Sequence, residues 1–268
     1  MEQSSDWSLA AAAAPRGGAV SRYRDPARSS RSGTLRRAGL AIVAATLAGC
    51  TADLGVGRNT QGIAWGSDNL ASEGAIGMLT AEERDVVAHI NLARTDPAAY
   101  ARTFILPRRI LFHDKVYVDP LDPRGRGLRT HEGVAVVEET ARELADTPPM
   151  GSLSVSAALT RAARVHAADQ SASGATGHDG TGGSTPSTRV SEQGRWEWLV
   201  GEVAAYGPAT GREIVSRLLI DDGVPSRGHR RSILDPRFGA IGVSIASHPH
   251  FGRAVVVDFA DAVSEAPP

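Results

Sequence analysis

The stretch that decides the fold covers residues 220–238 and reads IDDGVPSRGHRRSILDPRF. Apolar residues with helical spacing lead up to the start of this stretch, so residues 210–220 are predicted to form a helix. Two acids and a glycine then lead into a basic turn that contains His229. Beyond this turn, residues 240–246 and 254–260 are β-rich and are joined by a short polar segment, which predicts a β-hairpin. The chain therefore places a histidine and two acids between a helix and a hairpin.

Further helices are predicted on the N-terminal side of this stretch. Thr80 and Glu83 have the spacing of a capping box, which marks the start of a helix. Asp96-Pro97 ends that helix. The same reasoning predicts helices over 98–104, over 132–146 and from about 154 to 170, with irregular segments over 106–129 and 171–188. One mixed α/β domain over 80–262 is the simplest interpretation of this order.

Two of the eight histidines lie where functional residues are expected. His178 lies between glycines just past a predicted helix, and His229 follows two acids at the end of another. Between them, Glu202 follows an apolar stretch. Imidazole nitrogens and carboxylate oxygens are ligands that a divalent ion such as Zn2+ accepts. Because 24 and 27 positions separate these residues, four solvated loop residues are the alternative interpretation.

A series of short motifs surrounds these residues in a fixed order. Residues 220–238 continue into Ile241-Gly242-Val243 and then into VDFA at 257–260. Supporting motifs are NLARTDP at 91–97, THEG at 130–133, Gly177-His178, and Gly201-Glu202 followed by Tyr206-Gly207. From about residue 82 to residue 262 the chain resembles the CAP superfamily (cysteine-rich secretory proteins, antigen 5 and plant pathogenesis-related 1), also called the SCP domain. Residues 220–238 are similar to a stretch typical of its bacterial and protist branch.

The resemblance implies an α+β fold, a three-layer α-β-α sandwich with a central antiparallel sheet. It also implies a cleft with two histidines and two acids that holds Zn2+ or another divalent cation. Carried over residue by residue, the histidines are His178 and His229, and the first acid is Glu202. The second acid is Asp222, or else Asp221.

The N-terminal part has the features of an export signal. Arg36-Arg37 precedes an apolar run of about a dozen residues, which is too short to cross a membrane as a helix. The run ends in Leu47-Ala48-Gly49-Cys50, which resembles the lipobox of bacterial lipoproteins. That resemblance implies cleavage before Cys50 and lipidation of its sulfur, which would anchor the protein in the cell envelope, in the outer membrane where the cell has one. The predicted segments are a leader over 1–49, lipidated Cys50 with a flexible tether over 50–79, the domain over 80–262, and a tail over 263–268.

Composition excludes several classes of protein. A formal net charge of −1 argues against a dedicated nucleic-acid-binding protein. The single cysteine excludes a disulfide scaffold and any zinc site built from several thiolates. The chain also lacks the nucleophile-elbow, Walker and dinucleotide-binding motifs.

Three functions are compatible with these features. The first is a non-catalytic, envelope-anchored binding module for a lipid, a glycan or a protein. The second is a metal-dependent hydrolase of peptides or cell-wall polymers, with Glu202 as general base. The third is a structural envelope lipoprotein. We expect the binding module, because the sequence has no evident nucleophile.

Overall fold

The computed structural model describes residues 11–13, 70–118 and 127–265. The α-helices are α1 (Leu70–Gly77), α2 (Ala81–Thr95), α3 (Pro97–Tyr100), α4 (Val134–Asp146), α5 (Ala157–Ser173), α6 (Pro186–Gln193), α7 (Gly211–Ile220) and α8 (Gly228–Ile233). The strands are β1 (Ala11–Ala13), β2 (Phe112–His113), β3 (Val116–Tyr117), β4 (Leu128–Arg129), β5 (Ser154–Val155), β6 (Gly194–Trp196), β7 (Leu199–Tyr206), β8 (Ala240–His248), β9 (Gly252–Ala260) and β10 (Val263–Glu265). A π-helical turn over Ala101–Ile105 and 3-10 turns over Leu106–Leu111 and Thr181–Gly183 complete the description.

Side-chain caps start the helices where the sequence predicts them. The amide of Thr80 donates to Glu83 Oε2 at 2.8 Å, and the amide of Glu83 donates to Thr80 Oγ1 at 3.2 Å, which is the predicted capping box. Ser156 and Thr210 cap α5 and α7 in the same way, with a side-chain oxygen accepting from the third backbone amide of the helix. The predicted helices that lead to the site are therefore confirmed.

The central sheet has the order β1-β7-β9-β8-β5. The predicted hairpin is formed by β8 and β9, which pair antiparallel from Ala240 opposite Ala260 to His248 opposite Gly252. β7 pairs antiparallel with the other side of β9. The short β5 pairs with β8 in parallel, so the sheet departs from the predicted antiparallel arrangement at that edge.

Helices cover both faces of this sheet. On β9, Val256 packs against Ala163 and Ala167 of α5. Its neighbours Val255 and Val257 face the other side and belong to the large core shared with α2 and α7. Alternate residues of a strand point to opposite faces, so one strand serves both layers. The predicted α+β, three-layer α-β-α sandwich is confirmed.

Two segments near the site differ from their prediction. The interval 171–188, predicted as irregular, contains a 3-10 turn and the start of α6. No strand was predicted over the residues of β7, because Gly201, Glu202 and two alanines interrupt the pattern of large apolar side chains. α8 also lies in a stretch that was predicted only as a turn.

Two described elements lie outside the predicted domain range of 80–262. α1 lies within the segment predicted as a tether, and its Ala75 is buried in the core. β10 lies within the predicted tail and pairs with β6, with Val263 opposite Trp196. Cys50 and the apolar run before it lie outside the described residues. In the part of the chain that the structure describes, no helix is long and apolar enough to cross a membrane.

Close packing of α5 on the sheet depends on Gly242 in β8. A Cβ atom at this position would lie 2.2 Å from the backbone carbonyl carbon of Leu159 and 2.2 Å from the backbone nitrogen of Thr160. Both atoms belong to the helix backbone, which cannot move aside as a flexible side chain can. Gly242 therefore sets the distance between the sheet and α5, the helix that precedes the His178 loop.

Candidate functional site

The first candidate histidine pairs with Glu202 inside the protein. His178 lies in the loop after α5, and Glu202 lies in β7; its Oε1 is 2.7 Å from His178 Nδ1. Burial on its own would raise the pKa of Glu202, but the hydrogen bond from His178 and the charges of His166 and Arg189 bring that pKa below its ordinary value. Glu202 is therefore an ionised acceptor, and His178 donates to it from Nδ1.

Arg189 of α6 holds the same pair from a second side. Its Nη2 donates to Glu202 Oε2 at 2.7 Å and to the carbonyl oxygen of His178 at 2.9 Å. Its Nη1 donates to the carbonyl oxygen of Ser184 at 3.0 Å. Only 1% of the Arg189 side chain and none of the Glu202 side chain is exposed. Both oxygens of Glu202 are thus engaged by side chains of the protein.

The residue before His178 is fixed by its own set of hydrogen bonds. The carbonyl oxygen of Gly177 accepts from His166 Nε2 at 2.9 Å and from Gln170 Nε2 at 2.8 Å. The amide of Gly177 donates to the hydroxyl of Tyr206 at 2.8 Å. Burial lowers the pKa of His166 below its ordinary value, against the charge of Glu202. The loop therefore presents His178 in a defined position.

A second carboxyl group, Asp258, lies beside Glu202 in the sheet. The two residues are directly opposite each other on β7 and β9, and Asp258 is completely buried. Among the described residues, no group donates a hydrogen bond to either oxygen of Asp258. Burial, followed by the charge of Glu202, raises the pKa of Asp258 well above its ordinary value. The buried position of Asp258 beside Glu202 therefore favours its protonated form.

Asp258→Asn is expected to change how stability depends on pH. A carboxyl group with a raised pKa in the folded state stabilises the fold below its unfolded pKa of about 3.8 and loses this contribution as the pH rises. Relative to Asp258→Asn, the wild type should therefore lose about 1 kcal/mol per pH unit above pH ~4, up to the folded pKa. Urea unfolding at several pH values measures this difference, with the exposed Asp146→Asn as control. A constant difference between wild type and Asp258→Asn would contradict an acid that is protonated in the folded state.

The second candidate histidine pairs with Asp221. Nδ1 of His229 lies 2.6 Å from Asp221 Oδ1, and the amide of His229 donates to Asp221 Oδ2 at 2.8 Å. Asp221 ends α7 in the left-handed conformation, with a φ of 56°. This conformation turns the chain so that the carboxylate meets the first turn of α8. The sequence left Asp221 and Asp222 as alternatives, and Asp221 is the partner of His229.

Asp222, the preferred candidate from sequence, has a different place. Its Oδ2 accepts from the amide of His131 at 2.7 Å, and its Oδ1 accepts from the amide of Glu132 at 2.8 Å. The side chain thus ties the end of α7 to the segment before α4. Asp222, predicted from the sequence as a metal ligand, thus has both of its oxygens bonded to this backbone.

Buried Arg230 fixes the turn that carries His229. Its Nε donates to the carbonyl oxygen of Leu219 at 2.6 Å, and its Nη2 donates to Thr140 Oγ1 at 2.6 Å. Its Nη1 reaches Glu139 Oε1 at 2.9 Å. These contacts join α8 to both α7 and α4. The His229–Asp221 pair therefore lies on rigid elements.

A cavity of about 430 Å3 lies next to His229 and Asp221. Its walls are the inward face of α7, the end of β7 with Tyr206, and the small sheet of β2, β3 and β4. Glu202 and His178 are not among the lining residues. The apolar part of the wall consists of Phe112, Leu128, Ala205, Ala209, Ile214, Leu218, Ile220 and Phe251. The cavity is therefore mainly apolar, with one histidine–carboxylate pair in its wall.

Comparison with known proteins identifies the fold family. The model of the cysteine-rich secretory protein family, CAP, matches residues 133–259. These residues belong to the CAP family. Within the matched residues lie both histidine–carboxylate pairs, Arg189 and Asp258. The resemblance drawn from the sequence motifs is thus confirmed.

Two solved structures are similar to this CAP protein. An outer surface protein from Borrelia burgdorferi has 18% identity and a TM-score of 0.35, covering 49% of this chain and 88% of that chain. An extracellular protein with an SCP domain from Bacillus anthracis has 20% identity and a TM-score of 0.34, covering 54% of this chain and 45% of that chain. Both scores are low, so the family assignment rests on the family model. No curated protein matches the sequence.

The predicted four-ligand metal site is not formed in this CAP domain. Among the described residues, no group of three His, Cys, Asp or Glu side chains lies close enough to hold one ion. The oxygens of Glu202 bond to His178 and Arg189, and those of Asp221 bond to His229. Each of these two acids is hydrogen-bonded to the imidazole of its own pair.

Several residues of the CAP site were not predicted from the sequence. Asp258 lies in the predicted strand over 254–260 and His166 lies in the predicted helix over 154–170, and neither pattern marks a site residue. Arg189 had no assigned role, because arginine dominates the basic residues of the chain and none stands out. Tyr206 offered a signal, since it lies four positions after Glu202 and therefore shares its face of β7.

Proposed function

We propose that the protein is an exported, envelope-anchored binding protein whose ligand occupies the cavity beside His229. The cavity of about 430 Å3 with its mainly apolar wall carries this proposal. Its volume falls within the range of small-molecule sites, which combine an apolar lining with a few polar groups. Envelope anchoring rests on the lipobox-like sequence ending in Cys50. Of the lipid, glycan or protein ligands expected from sequence, an apolar small molecule such as a lipid suits this wall.

The geometry favours binding over hydrolysis. The predicted general base, Glu202, has no exposed surface, and both of its oxygens are engaged by His178 and Arg189. A general base must come within hydrogen-bond distance of the proton that it removes. Since Glu202 does not line the cavity, a ligand there would not reach it. Glu202 is therefore not placed to act as the general base of a hydrolase on a ligand in this cavity.

Binding of a divalent cation such as Zn2+ is proposed with two protein ligands instead of the four predicted from the sequence. His178 and His229 would be the ligands, and Glu202 and Asp221 would fix the ring orientations, as carboxylates do for metal-binding histidines. We expect calorimetry of the full-length protein to show Zn2+ uptake that His178→Ala and His229→Ala each abolish. Asp222→Asn should leave it unchanged, because this side chain bonds to backbone amides away from the rings. Uptake that survives both histidine substitutions, or no uptake by the wild type, would contradict this proposal.

Binding in the cavity can be tested with the uncharged fluorescent probe N-phenyl-1-naphthylamine. We expect saturable binding to the full-length protein, with one probe per chain. Ala209→Trp, which fills the cavity from its rim, should weaken binding about tenfold, since losing roughly 60 Å2 of apolar contact costs about 1.5 kcal/mol. Ala145→Trp makes the same change at an exposed position of α4 and serves as control.

Two results would contradict the proposed function. The first is a wild-type protein that shows no saturable fluorescence change, which would favour the structural envelope role. The second is equal binding by wild type and Ala209→Trp, which would place the probe elsewhere. Circular dichroism on each variant confirms that the fold is retained.

A further inference from the structure

Two arginines share one carboxylate in the wall of the cavity. Arg108 forms a bidentate ion pair with Glu213, in which Nη1 donates to Oε1 at 3.1 Å and Nη2 contacts Oε2. Arg217 lies one turn further along α7, and its Nε donates to Glu213 Oε1 at 2.8 Å. All three residues line the cavity. This part of the wall therefore carries two positive charges and one negative charge.

The two arginines differ in how many of their guanidinium nitrogens have an acceptor in the protein. Arg108 is buried, and its remaining bonds go to the carbonyl oxygen of Phe104 at 3.1 Å and the hydroxyl of Tyr117 at 2.9 Å. Arg217 is one-third exposed, and its only acceptor among the described residues is Glu213, through Nε. Its two terminal nitrogens therefore remain available to a ligand. A planar guanidinium with two available nitrogens matches the geometry of a carboxylate.

The acids at the other end of the cavity have their oxygens engaged by donors of the protein. Asp221 accepts from the ring and the amide of His229, and Asp222 accepts from two backbone amides. Both carboxylates are thus already matched by donors. Arg129, which also lines the cavity, has no acidic partner among the described residues. Donors without an acceptor among the described residues of this wall therefore lie on Arg217, at its two terminal nitrogens.

The apolar walls beside Arg217 restrict what else the ligand is made of. Leu218 and Ile214 flank it on α7, and Leu128 and Phe112 lie on the small sheet opposite. An ion without an apolar part would leave these side chains uncovered, and an uncharged apolar molecule would leave the guanidinium without an acceptor. A charged hydrogen bond is stronger in such surroundings than in water.

We propose that the ligand is an organic monoanion, with a carboxylate head bound by the terminal nitrogens of Arg217 and an apolar body between α7 and the β2–β4 sheet. This inference rests on the proposed function and specifies the ligand class of the same cavity. The body is either an alkyl chain or an aromatic ring system, because both fit aliphatic and aromatic walls. Alkyl and aromatic carboxylates share the same head group, and the experiment below distinguishes between them.

Competition against N-phenyl-1-naphthylamine tests the head group. Dodecanoate is compared with dodecanol, and 2-naphthoate with 2-naphthol, on the full-length protein at neutral pH. We expect at least one carboxylate to bind about tenfold more tightly than its own alcohol. The pair with the larger preference identifies an alkyl or an aromatic body.

Arg217→Gln is the decisive variant. Its ratio of alcohol to carboxylate dissociation constants should fall to about one, whereas Arg142→Gln, at an exposed position of α4, should keep the wild-type ratio. Because each ratio is measured within one variant, a general change in affinity cancels. A wild-type ratio near one for both pairs, with saturable probe binding, would overturn the anion proposal and leave the proposed function intact. Failure of the probe to bind would overturn both.

Discussion

Replacing Arg189 with methionine is expected to destabilise the folded protein by about 3–5 kcal/mol. The guanidinium bonds to Glu202 Oε2 at 2.7 Å and to the carbonyl oxygen of His178 at 2.9 Å, and all of these groups are buried. Methionine has a similar length but no charge and no donor. Its introduction would leave Glu202 as an uncompensated buried charge next to the acid of Asp258. Urea unfolding followed by circular dichroism measures the loss.

A double variant shows whether the loss comes from the buried charge. Arg189→Met with Glu202→Gln removes both charges, and it should recover at least half of the lost stability. Arg195→Met, at an exposed position of β6, controls for the loss of a surface arginine. A loss below about 1 kcal/mol in Arg189→Met, or no recovery in the double variant, would contradict the role assigned to Arg189.

Gly242→Ala is expected to cost about 3 kcal/mol or more, near the upper end for overpacking. The added methyl group would lie 2.2 Å from two backbone atoms of α5, and neither the helix nor β8, which is paired on both sides, can yield locally. The helix would have to move away from the sheet, and this would disturb the core around Val256. The midpoint of thermal unfolding should fall accordingly.

Gly151→Ala is the matched control for this substitution. A methyl group added at Gly151 would have no neighbouring atom within 4 Å, and the φ of this residue is not positive. Its replacement should change stability by less than about 0.5 kcal/mol, as surface changes usually do. Similar effects of the two glycine substitutions would contradict the close approach of α5 to β8.

Local patterns in the sequence predict the elements around the site well. The capping box at Thr80 and the hairpin at 240–260 depend on neighbours within a few residues, and the structure contains both. β7 was not predicted because its signal is not local. Glu202 is stable at full burial only because His178 and Arg189, which are distant in sequence, complete its hydrogen bonds.

The same reasoning explains which site residues the sequence could identify. His178, Glu202 and His229 follow from the family motifs, and the structure places each of them in a buried pair. Two adjacent acids cannot be distinguished by pattern, since the choice depends on the left-handed conformation of Asp221. The predicted convergence of the four ligands on one ion depends on distances between loops, which local sequence patterns do not determine. The described residues form two separate pairs instead.

The cavity could not be predicted from the sequence. Its walls come from α7, the end of β7 and the β2–β4 sheet, and that sheet lies in the stretch 106–129 predicted only as irregular. The shared carboxylate of Glu213 likewise requires Arg108, which is 105 positions away. Only the folded arrangement brings these groups together.

A crystal structure of the protein with N-phenyl-1-naphthylamine bound tests most directly whether the cavity beside His229 is the ligand site. We expect electron density for the probe between α7 and the β2–β4 sheet, in contact with Leu218 and Leu128 and next to His229. Density for the probe only at another place, with this cavity empty, would contradict the claim that the ligand binds here.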